Sequence, residues 1–190
     1  MSEIKESQIS MVRPEWGGHY QEYFLKNWLN RDITVLICQR KSKELIQLTL
    51  ESLLRFYPDI PVMVVDGDSK DDSTLYLRYK AVTAPNVSLW ERPHLNGSEH
   101  TSHGVTMDEA IRNHIYTKYV LMLDSDVITE RHGFIEGMLE QFKQNDKLYG
   151  TGSLMLVTKK NYACGYPENE ADTLRYAHPS CSIIDRDKYL

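Results

Sequence analysis

No stretch of this 190-residue chain approaches the roughly 20 consecutive apolar residues that a membrane-spanning helix requires. Met1 to Ser10 are polar and charged, without the apolar segment of a secretory signal. A basic excess is missing too: 22 Lys and Arg stand against 27 Asp and Glu, a formal net charge of −5. Nucleic-acid binding, which needs a basic stripe to replace phosphate counterions, is therefore not expected. A small anionic ligand stays open, because a bound cation inverts the local charge. Cysteine is scarce and odd in number: Cys38, Cys164 and Cys181. With Cys38 inside an apolar run, this suits a reducing, cytoplasmic setting better than a disulfide framework. Cys164, His178 and Cys181 could be read as zinc ligands, but their spacing fits no common pattern and a fourth ligand is not evident. Neither G-x-G-x-x-G nor a Walker A motif occurs, so the usual glycine-rich phosphate turns are missing. Internal repeats, low-complexity tracts and interior linkers are also lacking.

What is present describes an ordinary globular domain, 41% hydrophobic and 26% charged. Residues 1–31 read as an N-terminal helical extension with Tyr20, Tyr23, Phe24 and Trp28 on one face. That face suits packing on the chain's own domain, or a partner or membrane-surface contact. From residue 32 to residue 190, strands and helices alternate. Strands are expected at Ile33–Cys38, Pro61–Val65, Val87–Trp90, Tyr119–Leu123, Leu154–Val157 and Cys181–Ile184. Helices are expected over Ser42–Tyr57, from an N-cap at Ser73 through Tyr79, over Asp108–Tyr116, and through Phe134, Met138 and Phe142. This alternation implies right-handed crossovers, a mostly parallel central sheet flanked by helices, and an α/β fold.

In such sheets, ligands bind at the carboxyl ends of the strands. Four strands end in polar or charged residues: Gln39-Arg40-Lys41, Asp66-Gly67-Asp68-Ser69, Glu91-Arg92 and Asp124-Ser125-Asp126. If the strands are parallel, these ends share one rim. Their clustered carboxylates would repel one another unless a cation intervened. Asp124 and Asp126, at i and i+2 on extended chain, can converge on one hard ion such as Mg2+ or Mn2+. The plain alternative is a strand ending in a polar turn. Asp66 could accept a hydrogen bond from a base N–H. Its segment fails as an EF-hand loop, because position six is Asp71 and position twelve is Leu77. A strand ending in Asp124-x-Asp126 also suits a haloacid-dehalogenase-like phosphatase with Asp124 as nucleophile, although that motif normally opens its fold.

Several segments, taken in order, carry a family resemblance. They are Leu45-x-x-Leu48-x-Leu50-x-Ser52-Leu53-Leu54; Pro61-Val62-x-Val64-Val65-Asp66-x-x-Ser69-x-Asp71-x-Ser73; His103-Gly104-x-x-x-Asp108-x-Ala110; and Tyr119 to Val127 with its Asp124-Ser125-Asp126. Together they resemble family 2 glycosyltransferases of the Rossmann-like GT-A fold, from about Ile33 onward. The resemblance implies inverting transfer of a sugar from a nucleoside-diphosphate sugar to an acceptor hydroxyl, dependent on Mg2+ or Mn2+. UDP-sugar is the favoured donor, with GDP-sugar as second choice, and the acceptor would be a glycan or lipid-linked glycan. It implies that Asp66 holds the base, Gln39 and Arg40 flank base or ribose, and His103 and Asp108 line the nucleotide or diphosphate. Asp124 would contact ribose or metal, and Asp126 the metal. Arg40 as a solvated charge and His103 as a loop residue remain equal alternatives. The family's Pro-Thr-Tyr-Asn after the first strand is replaced by Cys38-Gln39-Arg40-Lys41. The acceptor-side region that should carry the catalytic base is not recognisable before Leu190, leaving Asp185 and Asp187 as weak candidates. A donor-binding module without turnover is the rival reading, and a nucleotide-free glycan binder a third. Peripheral membrane contact and oligomerisation stay open.

Overall fold

A computed structural model describes residues 32–92, 103–158 and 173–190 of the chain. The expected N-terminal helical extension, residues 1–31, lies outside the described residues. The first strand, β1 (Ile33–Gln39), is buried along its whole length. That is the signature of a central strand covered on both faces. It is followed by α1 (Lys43–Phe56), β2 (Val62–Asp66), α2 (Asp72–Thr83) and β3 (Val87–Glu91). Then come α3 (His103–Asn113), β4 (Tyr119–Leu123), α4 (Phe134–Gln144), β5 (Gly150–Thr158), β6 (Thr173–Asp185) and the single turn α5 (Arg186–Tyr189).

The six strands form one sheet in the order β3-β2-β1-β4-β6-β5. The first four run parallel, with Gln39 level with Asp66 and Asp66 level with Glu91. β6 then pairs antiparallel with both β4 and β5. The sheet is mostly parallel, as the alternation of elements implies, and the four polar strand ends do share one rim.

Successive residues of β1 feed two cores. Ile33, Val35 and Ile37 pack on one face with Ile46, Leu50 and Leu53 of α1, Leu77 of α2, and Ile135 and Phe142 of α4. Leu36 and Cys38 pack on the other with Met107, Ala110 and Ile111 of α3. The period of two in the strand thus meets a period of 3.6 in each helix. Each large side chain fully buried here stabilises the fold by roughly 1.5–3 kcal/mol relative to exposure. In α1 the buried stripe is Ile46, Thr49, Leu50 and Leu53, whereas Leu45 and Leu48 face outward. The helix stops before Pro58, where Tyr57 N–H closes the last turn on the Leu53 carbonyl at 2.8 Å.

Two helix starts differ from the expectations. Asp71, not Ser73, caps α2, its carboxylate accepting from Ser73 N–H at 3.0 Å. An aspartate two residues before that amide is the better cap, and Ser73 is drawn inside the first turn. α3 begins at His103 rather than Asp108, because burial of Thr106 and Met107 against the sheet holds a first turn that local propensity disfavours. Gly152 marks an irregularity in the β5–β6 pairing, with φ of +138°. A Cβ there would sit 2.6 Å from Ser182 Cα, so only glycine fits.

Candidate functional site

The parallel rim opens into a cavity of about 350 Å³ lined by Cys38, Gln39, Arg40, Gly67, Arg92, His103, Thr106, Asp124, Ser125 and Asp126. Each lining group comes from the end of a strand or the start of α3. The cavity therefore crosses β3, β2, β1 and β4 in the order they lie in the sheet. Three non-glycine residues with positive φ cluster in the loops after β1 and β2: Lys41 at 54°, Asp68 at 63° and Lys70 at 54°. Such conformations persist only where surrounding bonds over-determine them. Here Lys41 N–H donates to Ser69 Oγ at 2.9 Å and Gly67 N–H to the Gln39 carbonyl at 2.9 Å, tying one loop to the other.

Asp66 ends β2 but does not line the cavity; it is 1% exposed. Its Oδ1 accepts from Gln39 Nε2 at 2.8 Å, from Ser69 N–H at 3.2 Å and from Ser69 Oγ. Its Oδ2 accepts from Thr74 Oγ1 at 2.7 Å. Gln39 Nε2 also reaches Ser69 Oγ at 3.1 Å and Ser73 Oγ at 3.3 Å. The amide oxygen of Gln39 is buried and has no hydrogen-bond partner among the described residues. Gly67, the next residue, is the one that forms the cavity wall.

Asp124 and Asp126 do line the cavity. The Asp124 side chain is 29% exposed, with His103 Nε2 at 3.8 Å from its Oδ1. The Asp124 charge also acts on Cys38: burial first, then this carboxylate, push the thiol up to about 12, with Arg92 opposing. His103 opens α3, at the helix end where backbone N–H groups favour anions.

Asp108 does not reach the cavity wall. Tyr189 Oη donates to it at 2.7 Å and Arg112 Nε at 2.8 Å, so it ties α3 to α5. The Tyr189 hydroxyl bond, with Arg112, holds the Asp108 carboxyl below the usual carboxylate range. The sheet register places Asp185, one of the two weak candidates for a catalytic base, away from Asp124. Asp185 pairs opposite Tyr119, at the end of β4 remote from Asp124 and roughly 16 Å along the strand at about 3.3 Å per residue. There it caps α5, accepting from Asp187 N–H at 3.1 Å and Lys188 N–H at 3.3 Å. Asp187 sits in that same terminal turn. Of the three residues in the zinc reading, Cys164 lies outside the described residues. His178 Nδ1 lies 3.0 Å from Ser180 Oγ, and Cys181 is a free, half-buried thiol.

Arg92 is the residue that sequence reasoning passed over. It lines the cavity yet is only 5% exposed, and its Nε donates to Glu109 Oε2 at 2.8 Å. Its backbone N–H reaches the Asp66 carbonyl at 3.0 Å. The signal was its place after a strand on the polar rim; what was missing was the partner, 17 residues away on α3. Arg92 and Arg40 bring positive charge to the β3–β1 side of the cavity, and Asp124 and Asp126 bring negative charge to the β4 side.

No described helix is long and apolar enough to cross a membrane. No curated protein sequence matches the chain. Among solved structures, it is similar to a mannosyltransferase from Pyrobaculum calidifontis in complex with GDP-Man and Mn2+, at 15% identity and a TM-score of 0.59. That match covers 89% of this chain and 51% of the other, so the chain spans about half the mannosyltransferase's length. It is also similar to S. aureus TarS, at 20% identity and a TM-score of 0.49 over 73% of this chain and 39% of that one. The likeness to the mannosyltransferase shows the GT-A fold. The profile of glycosyl transferase family 2 matches residues 34–188, and the chain belongs to that family.

Proposed function

We propose that this domain binds a nucleoside-diphosphate sugar across its parallel rim and serves transfer of the sugar, with inversion, to an acceptor hydroxyl. One observation carries the reading: Asp124 and Asp126 share a single cavity with Arg92, Gly67 and Gln39-Arg40, at the ends of four adjacent strands. The base would enter between β1 and β2, where Gly67 leaves the wall low and the Gln39 amide oxygen finds no donor among the described residues. Asp66 would act through Gln39, holding the amide so that its oxygen faces away from the carboxylate. Arg92 would attract the anionic diphosphate.

Asp124 and Asp126 are a hard oxygen donor set that fits Mn2+ or Mg2+. Among the described residues no group of three His, Cys, Asp or Glu converges. These two carboxylates would therefore hold the ion together with water and the ligand's own phosphate oxygens, as Mg2+ sites commonly do. When bound, such an ion supplies neutralisation of the charge that grows on the departing diphosphate. In the transfer itself, the acceptor oxygen forms the new bond to the anomeric carbon as the bond to the diphosphate breaks, and the hydroxyl proton passes to a base. Among the described residues the cavity wall holds no third carboxylate for that role. A UDP-sugar is the first donor to try and a GDP-sugar the second; a glycan or lipid-linked glycan is the acceptor class.

The test is calorimetric titration of UDP, GDP, CDP and TDP, with and without Mn2+, on the wild type and on Asp126→Ala. Metal-dependent binding of one nucleotide, lost in the variant, is the expected result. Binding of none, or binding that ignores both Mn2+ and Asp126, overturns the assignment. Nucleotide binding should also raise the Tm. Sugar transfer to a supplied acceptor then separates an enzyme from a donor-binding module without turnover.

A further inference from the structure

The loop after β4, from Asp124 to Gly133, is tied to strand and helix backbone at its two ends, by Asp124 N–H on the Ser180 carbonyl at 3.2 Å and by Gly137 N–H on the Gly133 carbonyl at 2.9 Å. Between those ends, three hydroxyls of α1 and its C-cap hold its backbone. Thr49 Oγ1 donates to the Ser125 carbonyl at 2.8 Å. Ser52 Oγ accepts from Thr129 N–H at 3.0 Å and donates to the Thr49 carbonyl at 3.0 Å. Tyr57 Oη accepts from Gly133 N–H at 2.8 Å and donates to Glu136 at 2.9 Å. The loop is thus caught at residues 125, 129 and 133, at every fourth position. Within it, Val127 N–H closes on the Asp124 carbonyl at 3.3 Å.

Thr49 is the informative member. It is fully buried on the apolar face of α1, among Ile46, Leu50 and Leu53, where packing alone would select an aliphatic side chain. A helical threonine commonly turns its hydroxyl back to its own helix. This one crosses to a residue 76 positions away, the central carbonyl of Asp124-Ser125-Asp126. Fixing that carbonyl fixes the peptide plane between Ser125 and Asp126. The plane sets ψ of Ser125 and φ of Asp126, and hence the angle between the two carboxylates.

We propose that Thr49, supported by Ser52, is a positioning residue for cation binding at Asp124 and Asp126. This rests on the donor-site reading above. Outer-sphere partners that orient metal-binding carboxylates typically matter by 10–100-fold in metal affinity. Thr49→Val keeps the shape and removes the hydroxyl, while Thr49→Ser keeps the hydroxyl. The experiment measures nucleotide affinity by calorimetry with and without Mn2+, and the Tm of each variant.

The expected result is an Mn2+ enhancement about tenfold smaller in Thr49→Val, near-wild-type enhancement in Thr49→Ser, and unchanged metal-free affinity in both. A purely structural Thr49 would lower the Tm and leave the enhancement intact; that outcome overturns the proposal. Ser52→Ala, which frees Thr129 N–H, is the second variant should Thr49→Val fail to fold, and an unaltered enhancement there also overturns it. Asp126→Ala separates the two levels. If it abolishes the enhancement and Thr49→Val does not alter it, only the positioning role falls. If the wild type shows no enhancement, or Asp126→Ala retains it, the donor-site reading fails and the role of Thr49 with it.

Discussion

Two segments of this chain carry the same pattern, an apolar strand followed by aspartate, a small residue and aspartate. Asp66-Gly67-Asp68 begins on the last residue of β2, and Asp124-Ser125-Asp126 follows β4. Parallel pairing places both on one rim. Yet Asp66 is buried and accepts from Gln39, Ser69 and Thr74, whereas Asp124 opens onto the cavity with His103 3.8 Å away. The second aspartates diverge as well. Asp68 sits in the left-handed region with Lys70 Nζ at 2.9 Å, and Asp126 faces the cavity. A carboxylate whose lone pairs are filled by protein donors fixes loops, and one left short of donors can take up a cation. Under the proposed reading, the number of donors brought to each aspartate separates the two roles.

The comparison breaks most readily through stability. Asp66→Ala strands several buried donors and should cost about 3 kcal/mol in urea denaturation. Asp124→Ala removes no such set and should change stability by less than about 0.5 kcal/mol. Equal losses would erase the distinction. Binding should reverse the ranking: Asp124→Ala and Asp126→Ala should each lower Mn2+-dependent nucleotide affinity about 100-fold, close to 2.7 kcal/mol. Calorimetry on the folded variants checks this. Arg92 sharpens the contrast from the basic side of the cavity. Arg92→Ala should weaken nucleotide binding about tenfold with Mn2+ and without it, the size of one charge-assisted hydrogen bond. A loss confined to the Mn2+ condition would place Arg92 with the carboxylates instead.

Cys38 reports the open charge with the smallest effect. Burial and Asp124 raise its thiol from an ordinary 9.0 to about 12. Because the native state holds the proton more tightly, this contribution to stability is complete below about pH 9 and is lost as pH rises toward 12. Native protein at pH 8.5 should therefore resist alkylation by iodoacetamide that the unfolded chain undergoes readily. Asp124→Asn should raise the native rate by roughly two- to threefold, since the reactive species is the thiolate. An unchanged rate would mean that the Asp124 charge does not reach the cavity wall at Cys38.

Much of the fold was legible locally. The buried run Ile33–Gln39, the Val62–Asp66 strand and the apolar spacing of α1 announce themselves within windows of five to fifteen residues, because periodicity is a local property. Boundaries were less legible. Asp71 displaced Ser73 as the cap of α2, and α3 starts five residues earlier and ends three residues earlier than expected, with Thr106 and Met107 buried near its start. The site was legible as a set of strand ends. The part played by each residue was not, because the deciding partners come from far along the chain. Gln39 lies 27 positions from Asp66, Glu109 17 from Arg92, Tyr189 81 from Asp108 and Thr49 76 from Ser125.

By itself, then, the sequence determined the alternation of strands and helices, the family, and the gathering of acidic strand ends on one rim. The alternation and the rim follow from hydrophobic period and chain order, and the family from the resemblance of several motifs taken in their order. Only the tertiary structure decided that Asp66 is a buried knot, that Asp108 and Asp185 are helix ties away from the cavity, that Arg92 faces it, and that α1 grips the loop of Asp124 and Asp126. Those outcomes depend on how many donors and acceptors meet at a point in space, and folding brings them there from positions that no local pattern connects.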